Sequence, residues 1–185
     1  MDGSITVHDT LFRGRVVRIE AASVQLPGGN VAEYEIIRHP GSAAVVAMDG
    51  QHRVCLLRQF RPAAGGWIWE LPAGRREPDE QPQQTALREL AEEAGCRAES
   101  WQALGSILSS PGVSSEEIHL FLATGLKPHP VQHEPFEAIQ IHWIDFDAAL
   151  ERAVTGEVRD AKSVVGLMLA REYLIRGRAA QEPPT

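Results

Sequence analysis

The 185-residue chain is poor in the features that mark several protein classes. Its two cysteines, Cys55 and Cys96, have no metal-ligand spacing and build no disulfide framework, so a stapled secreted scaffold is excluded and a reduced, cytoplasmic setting is expected. Cations are in deficit: 18 Lys plus Arg against 25 Asp plus Glu give a net charge of −7 and an isoelectric point near 5.5. A protein that neutralises many phosphates carries the opposite balance, so broad nucleic-acid binding is not expected, although a few placed arginines can serve one small phosphorylated ligand. Long apolar runs are missing as well. Ala43 to Met48 and Val164 to Ala170 are too short to span a bilayer, so no membrane is expected as partner. The first residues, Met1-Asp2-Gly3-Ser4-Ile5, lack the basic stretch and apolar run of a signal peptide, and none is expected.

What is present is ordinary globular composition, 43% hydrophobic and 23% charged, enough for one domain with a small appendage. From Leu11 to Arg38 the residues read as paired strands around the turn Pro27-Gly28-Gly29-Asn30. His39-Pro40-Gly41 breaks that pattern and divides an N-terminal β-hairpin region, 1–40, from a main body, 41–178, with a polar tail at 179–185. The body reads as strands at Ala43 to Met48, Val54 to Phe60 and Ile68 to Leu71, then a helix over Pro82 to Ala94. Proline suits that helix's first turn and Gly95 its end. Strands near Gln102 to Leu108, Ile118 to Ala123 and Ile139 to Ile144 follow, then helices near Phe146 to Val154 and Ala161 to Arg176, the last with Asp160 as N-cap. Strands mixed with few helices predict a layered α/β (α+β) domain.

The Pro82 to Ala94 helix carries the chemistry. Its periodicity assigns Leu87, Leu90, Ala91 and Ala94 to the core face and gathers Glu89, Glu92 and Glu93 on the other side. Like charges so close cost a helix a few tenths of a kcal/mol per pair, roughly, and Arg88 alone does not balance three anions. Clustered carboxylate oxygens suit Mg²⁺ or Mn²⁺, but a run of this kind is also the ordinary solvated face of an amphipathic helix. Periodicity does not choose between the two.

The longer pattern does. Gly74-x5-Glu80-x7-Arg88-Glu89-Leu90-x-Glu92-Glu93-x-Gly95-Cys96 resembles the signature of the Nudix hydrolases at every fixed position, with Cys96 as the small apolar residue of the last slot. The resemblance implies a Nudix-type α/β/α sandwich with a mixed sheet. It also implies hydrolysis of a nucleoside diphosphate linked to another group, with Mg²⁺ (or Mn²⁺) held by Glu89, Glu92, Glu93 and the backbone carbonyl of Ala73. Gly74 would allow the tight turn into the site, Glu80 and Arg88 would brace the loop, and Gly95 would end the helix.

Beyond the signature, Ser110-Pro111-Gly112 with Glu116-Glu117, Gln59-Phe60-Arg61, Glu70-Leu71-Pro72-Ala73-Gly74 and Asp160-Ala161-Lys162 are similar to the ADP-ribose pyrophosphatase subgroup. That resemblance implies a homodimer with residues 1–40 as a dimer arm and cleavage of ADP-ribose to AMP and ribose 5-phosphate. Arg61, with Arg38 as a second candidate, would contact phosphates. Ser110, Pro111, Gly112 and Glu116 would line the terminal ribose. A late loop would supply further acidic groups, Glu137 approaching the metal and Glu134 as candidate base beside Glu92 and Glu93. Trp67 and Trp69 flank Ile68, one expected inside and one at an interface; they and Phe12 are the candidate adenine platforms. A GDP-mannose or other nucleotide-sugar pyrophosphatase and a non-catalytic nucleotide-binding sensor are the alternatives, with a calcium-binding structural helix a more distant one.

Overall fold

A computed structural model describes residues 3–131 and 137–179. By packing, the chain divides into two units, Met1–Gly41 with Leu108–Glu117, and Ser42–Ile107 with Ile118–Thr185.

The first unit is built on an antiparallel sheet, β1 (Ser4–Arg13), β2 (Arg18–Gln25) and β3 (Val31–Arg38), in that order. The Pro27-Gly28-Gly29-Asn30 turn joins β2 to β3: the Leu26 N–H donates to the Asn30 carbonyl at 2.8 Å, and Gly29 takes φ 85°, which favours glycine. The sequence pattern began the strands at Leu11 and so missed most of β1. The reason is visible in the register, which slips between Val7 and Asp9 and between Thr10 and Phe12; two bulges destroy the alternation that would reveal a strand. The segment Leu108–Glu117 joins this unit through Ile37, whose N–H donates to the Val113 carbonyl at 2.8 Å and whose carbonyl accepts from the Ser115 N–H at 2.9 Å.

The second unit begins with β4 (Ser42–Ala47), β5 (Arg53–Arg61), β6 (Gly66–Glu70), β7 (Ala73–Arg75) and α1 (Pro82–Ala94). Then come β8 (Cys96–Leu108), β9 (Glu117–Pro128), β10 (Ile139–Asp145), α2 (Phe146–Val154) and α3 (Ala161–Ala179). β8 starts six residues before the expected Gln102, because Cys96 to Trp101 offers little apolar alternation. One sheet has the order β10-β5-β6; the other, β7-β4-β9-β8, is mixed, with β4 parallel to β9 and antiparallel to β7.

Both faces of these sheets are covered, which is why β4 is buried at every position rather than alternating. Ala43, Val45 and Ala47 of β4 and Cys55 and Leu57 of β5 pack with Ala86, Leu90 and Ala94 of α1. On the other face, Val46, Val54, Leu56 and Leu71 pack with Phe146, Ala149 and Ala153 of α2 and Leu167 and Ala170 of α3. The unit is therefore an α/β/α sandwich. In α3 the fully buried apolar side chains are Leu167 and Ala170, beside the buried Ser163; Val164, Val165 and Leu169 pack at the margin of the core.

The α1 face departs from the periodic reading. Leu87 is exposed, while Thr85, Ala86, Glu89, Leu90, Glu93 and Ala94 are buried. Apolarity alone misplaces the stripe because two of its positions are filled by carboxylates. Of the two tryptophans of β6, one lies inside as expected. Two residues apart on a strand, they share a face; Trp69 is buried because it lies deeper in the sheet, and Trp67 is exposed against Phe60 at the hairpin tip, ring centroids 5.8 Å apart.

Candidate active site

β6, β7 and α1 bring the acidic residues to one place. Pro82 opens α1, the Gln84 side chain accepts the Gln81 N–H at 2.7 Å, and Gly95 closes the helix at φ 63°. The helix therefore starts and stops where local chemistry dictates, and its register sets which carboxylates face β7. Glu89 and Glu93, one turn apart, point there and are only 8% and 4% exposed. Glu93 Oε2 accepts the Ala73 N–H at 2.8 Å. Glu89 lies against Gly74 so closely that a Cβ at position 74 would collide with its carboxylate. Glycine is required here by the approach of that side chain, as Gly74 does not have a positive φ.

Arg88 ties the loop to the helix. Its Nε donates to Glu80 Oε1 at 2.9 Å and its Nη2 to Glu80 Oε2 at 3.0 Å, a two-point ion pair. The same Nη2 reaches the Arg75 carbonyl at 3.0 Å, and Nη1 reaches Glu89 at 2.6 Å and Glu92 at 3.2 Å. Thr85 Oγ1 also donates to Glu80. These donors hold the Glu80 carboxyl well below its ordinary range, near 2, the Arg88 bonds being the largest cause. Glu92 is the most exposed of the three helix carboxylates and lies with Arg88.

Burial dominates the electrostatics of the inner pair. Desolvation raises Glu89 to about 7 against the pull of Arg88, helped by the charges of Glu92 and Glu137. It raises Glu93 to about 8, helped by Glu89 and Glu137 and opposed by the Ala73 N–H and by Arg61. Glu137 and Arg61 are thus within electrostatic reach of the site. Glu134 lies outside the described residues. Among the described residues, no three acidic, histidine or cysteine side chains are already gathered as a ligand set. The donors at hand fit a hard divalent ion nonetheless: they are all oxygens, and two buried carboxylates resist ionisation until a positive charge arrives.

Arg61 ends β5 and is held by Glu70 of β6, Nε to Oε2 at 2.7 Å. Glu70 is buried and also receives Lys162 Nζ at 2.8 Å. Glu70 and Lys162 stand in the sequence only as parts of separate motifs, and their 92-residue separation hides the pairing. The available signal was a carboxylate in the otherwise apolar run Trp67 to Pro72 and a lysine in a helix's first turn, where the macrodipole disfavours a cation. The remaining predicted phosphate and ribose contacts and Phe12 belong to the other unit. Arg38 donates to Glu20 at 2.7 Å, Glu116 lies 3.5 Å from His39, and Ser110, Pro111 and Gly112 form a turn in which the Ser110 carbonyl accepts from Val113 and Ser114. Phe12 is exposed on β1, and Trp69 donates Nε1 to Glu157 at 3.1 Å beneath Arg152.

Comparison with known proteins gives one family and several relatives. Residues 38–164 match the model of the NUDIX domain. An ADP-ribose pyrophosphatase of Mycobacterium tuberculosis is 34% identical over 178 residues, 95% of this chain and 86% of that protein. A methanol dehydrogenase activator of Bacillus methanolicus is 36% identical over 161 residues, 86% of this chain and 87% of that protein. Among solved structures, an ADP compounds hydrolase superposes with a TM-score of 0.81 at 22% identity, covering 96% of each chain, a likeness of fold.

Proposed function

Because the chain belongs to the NUDIX family, we propose that it is a pyrophosphohydrolase of nucleoside diphosphate sugars, with ADP-ribose as substrate and AMP and ribose 5-phosphate as products. The observation that carries this reading is the pair of buried carboxylates, Glu89 and Glu93, set against Gly74 and the Ala73 N–H. A buried anionic pair of this kind is costly in a fold and useful when a divalent cation must be gripped.

Glu89, Glu93, Glu92 and the Ala73 carbonyl would hold Mg²⁺ or Mn²⁺, which would supply charge screening of the diphosphate and a more acidic water. The protein's own part is positioning and charge. Arg61 keeps Nε on Glu70 and offers its two Nη groups, which have no partner among the described residues, to phosphate oxygens. Glu137, whose charge bears on both buried glutamates, is the loop carboxylate that would approach the metal, and Glu134 is the candidate base. Ser110, Pro111, Gly112 and Glu116 serve the terminal ribose, and Arg38 is a second phosphate contact.

Residues 1–40 serve as the arm of a homodimer. Every residue of β1 is exposed in the single chain, including Ile5, Val7, Leu11 and Phe12, an apolar edge strand that a second copy would cover. A cytoplasmic location suits the free, buried Cys55 and Cys96, and among the described residues no helix is long and apolar enough to cross a membrane. A panel of nucleoside diphosphate derivatives with Mg²⁺, read as released monophosphate, tests the activity. ADP-ribose should be cleaved fastest, and Glu93→Gln should abolish turnover. Preference for GDP-mannose would replace the substrate, and tight ADP-ribose binding with no turnover would make the protein a sensor.

A further inference from the structure

The start of α3 reaches the strand that leads into the acidic site, and its polar groups form a closed chain there. Lys162 Nζ donates to Glu70 Oε1 at 2.8 Å and to Asp160 Oδ2 at 2.9 Å. Asp160 Oδ2 also accepts the Ser163 N–H at 3.0 Å and the Ser163 hydroxyl, and Ser163 Oγ in turn accepts the Leu71 N–H at 2.7 Å. Glu70 Oε2, the oxygen left over, accepts Arg61 Nε at 2.7 Å. Two residues further along the chain, at the start of β7, the Ala73 N–H is held by Glu93.

The distribution of exposure separates the roles. The Lys162 side chain is 12% exposed and its ammonium is already shared by two carboxylates, so it is not placed to meet substrate. Arg61 is 40% exposed and lies near enough to Glu93 to favour its charged form. Register puts Arg61 opposite Gly66, so it shares with Leu57 and Glu70 the sheet face that packs against α1. A lone arginine at a strand end samples many rotamers, and ordering them on binding costs affinity. A carboxylate fixed from behind by Lys162 removes that freedom in advance, because it holds Nε and leaves the forked Nη groups to point outward.

We infer that Lys162 is a positioning residue of the reaction, anchoring Glu70 so that Arg61 is pre-set to receive a phosphate oxygen of the substrate. This inference rests on the hydrolase reading above and adds to it a residue remote from the acidic helix. It predicts an effect on substrate affinity that travels through Arg61 and nothing else.

The test is a double-mutant cycle of Lys162→Met and Arg61→Ala, with Lys162→Arg as the conservative variant. Kinetics use ADP-ribose with Mg²⁺, and a parallel calorimetric titration measures ADP-ribose binding in EDTA. Lys162→Met should raise KM and the dissociation constant about tenfold with kcat nearly unchanged, the pattern of a lost uniform binding contact. Lys162→Arg should restore most of the affinity. In the Arg61→Ala background Lys162→Met should add less than about twofold, since the group it positions is gone. Should Lys162→Met not fold, Glu70→Gln, which keeps the shape and removes the charge, enters the same cycle with the same expectation. Equal effects in both backgrounds, or a fall in kcat at constant KM, would overturn the inference by showing a general structural role. Wild-type protein that binds ADP-ribose in the coupled pattern but cleaves nothing would refute the hydrolase reading and support the positioning. Wild-type protein that neither binds nor cleaves it would overturn both.

Discussion

Replacing Gly74 with alanine probes the site with a single methyl group. The three atoms nearest a Cβ built at that position all belong to the Glu89 side chain: even the farther oxygen, Oε2, would lie at 2.6 Å, and Oε1 and Cδ would be closer still. Ordinary contact between such atoms begins near ~3.5 Å, so the carboxylate must retreat by about 1 Å or more. The nearest obstruction is therefore the end of a side chain and not backbone, and Gly74 does not have the positive φ that would penalise alanine. The fold therefore tolerates the change, and alanine's smaller unfolded-state entropy offsets part of the lost Arg88–Glu89 contact, by roughly 0.4–1 kcal/mol. Function does not tolerate it. A 1 Å misplacement of a group that must be held in register costs on the order of a hundredfold, equivalent to about 2.7 kcal/mol of transition-state stabilisation. The assay pairs Mn²⁺ affinity by calorimetry with kcat/KM and thermal melting, using Gly50→Ala, where the added methyl meets nothing, as control. The expected result is a melting temperature within a few degrees of the parent, weakened Mn²⁺ binding and about a hundredfold loss of kcat/KM. Gly74→Ala protein with parental Mn²⁺ affinity and turnover would refute the placement of Glu89.

Two further predictions follow from the charges. Glu89 and Glu93 are raised to about 7 and about 8 from an ordinary value of 4.5, so the folded, metal-free protein holds protons that the unfolded chain releases. Their contribution to stability is complete below about pH 4.5 and is lost as pH rises through 7 and 8, so the metal-free melting temperature should fall between pH 5 and 8.5. Over the same range Mg²⁺ affinity should rise, and titrations in buffers of different protonation enthalpy should show about one proton or more released per site; no release would contradict the burial argument. Arg88→Met should cost about 3 kcal/mol by leaving Glu80 and Glu89 without their shared cation, lowering the melting temperature by about 10 °C and weakening Mg²⁺ binding at pH 7; an unchanged melting curve would show that the brace is not needed.

The sequence showed the elements whose ends are fixed by local chemistry. α1 begins at Pro82 and stops at Gly95, and α2 spans Phe146–Val154 with Asp145 accepting the Asp147 and Ala148 N–H groups, so both helices could be bounded from residues alone. β1 was mostly hidden because its bulges break the alternation and none of its residues is buried. Leu87 was assigned inward because apolarity was the only guide; the burial of Glu89 and Glu93 instead is the local inconsistency that a functional site imposes on an otherwise regular pattern. The acidic signature was legible because its spacing lies on one helix and one loop. The Arg61–Glu70–Lys162–Asp160 chain was not, because it joins the β5–β6 hairpin to a helix nearly a hundred residues later, and only the fold brings them together.

The central claim is that the inner side of α1 grips divalent cations against the β7 turn. Crystals soaked in Mn²⁺ and measured for anomalous scattering test it most directly. The account predicts a peak in reach of the Glu89 and Glu93 carboxylates and the Ala73 carbonyl, lost in Glu93→Gln crystals. A peak elsewhere, with this position empty in protein that hydrolyses ADP-ribose, would contradict it.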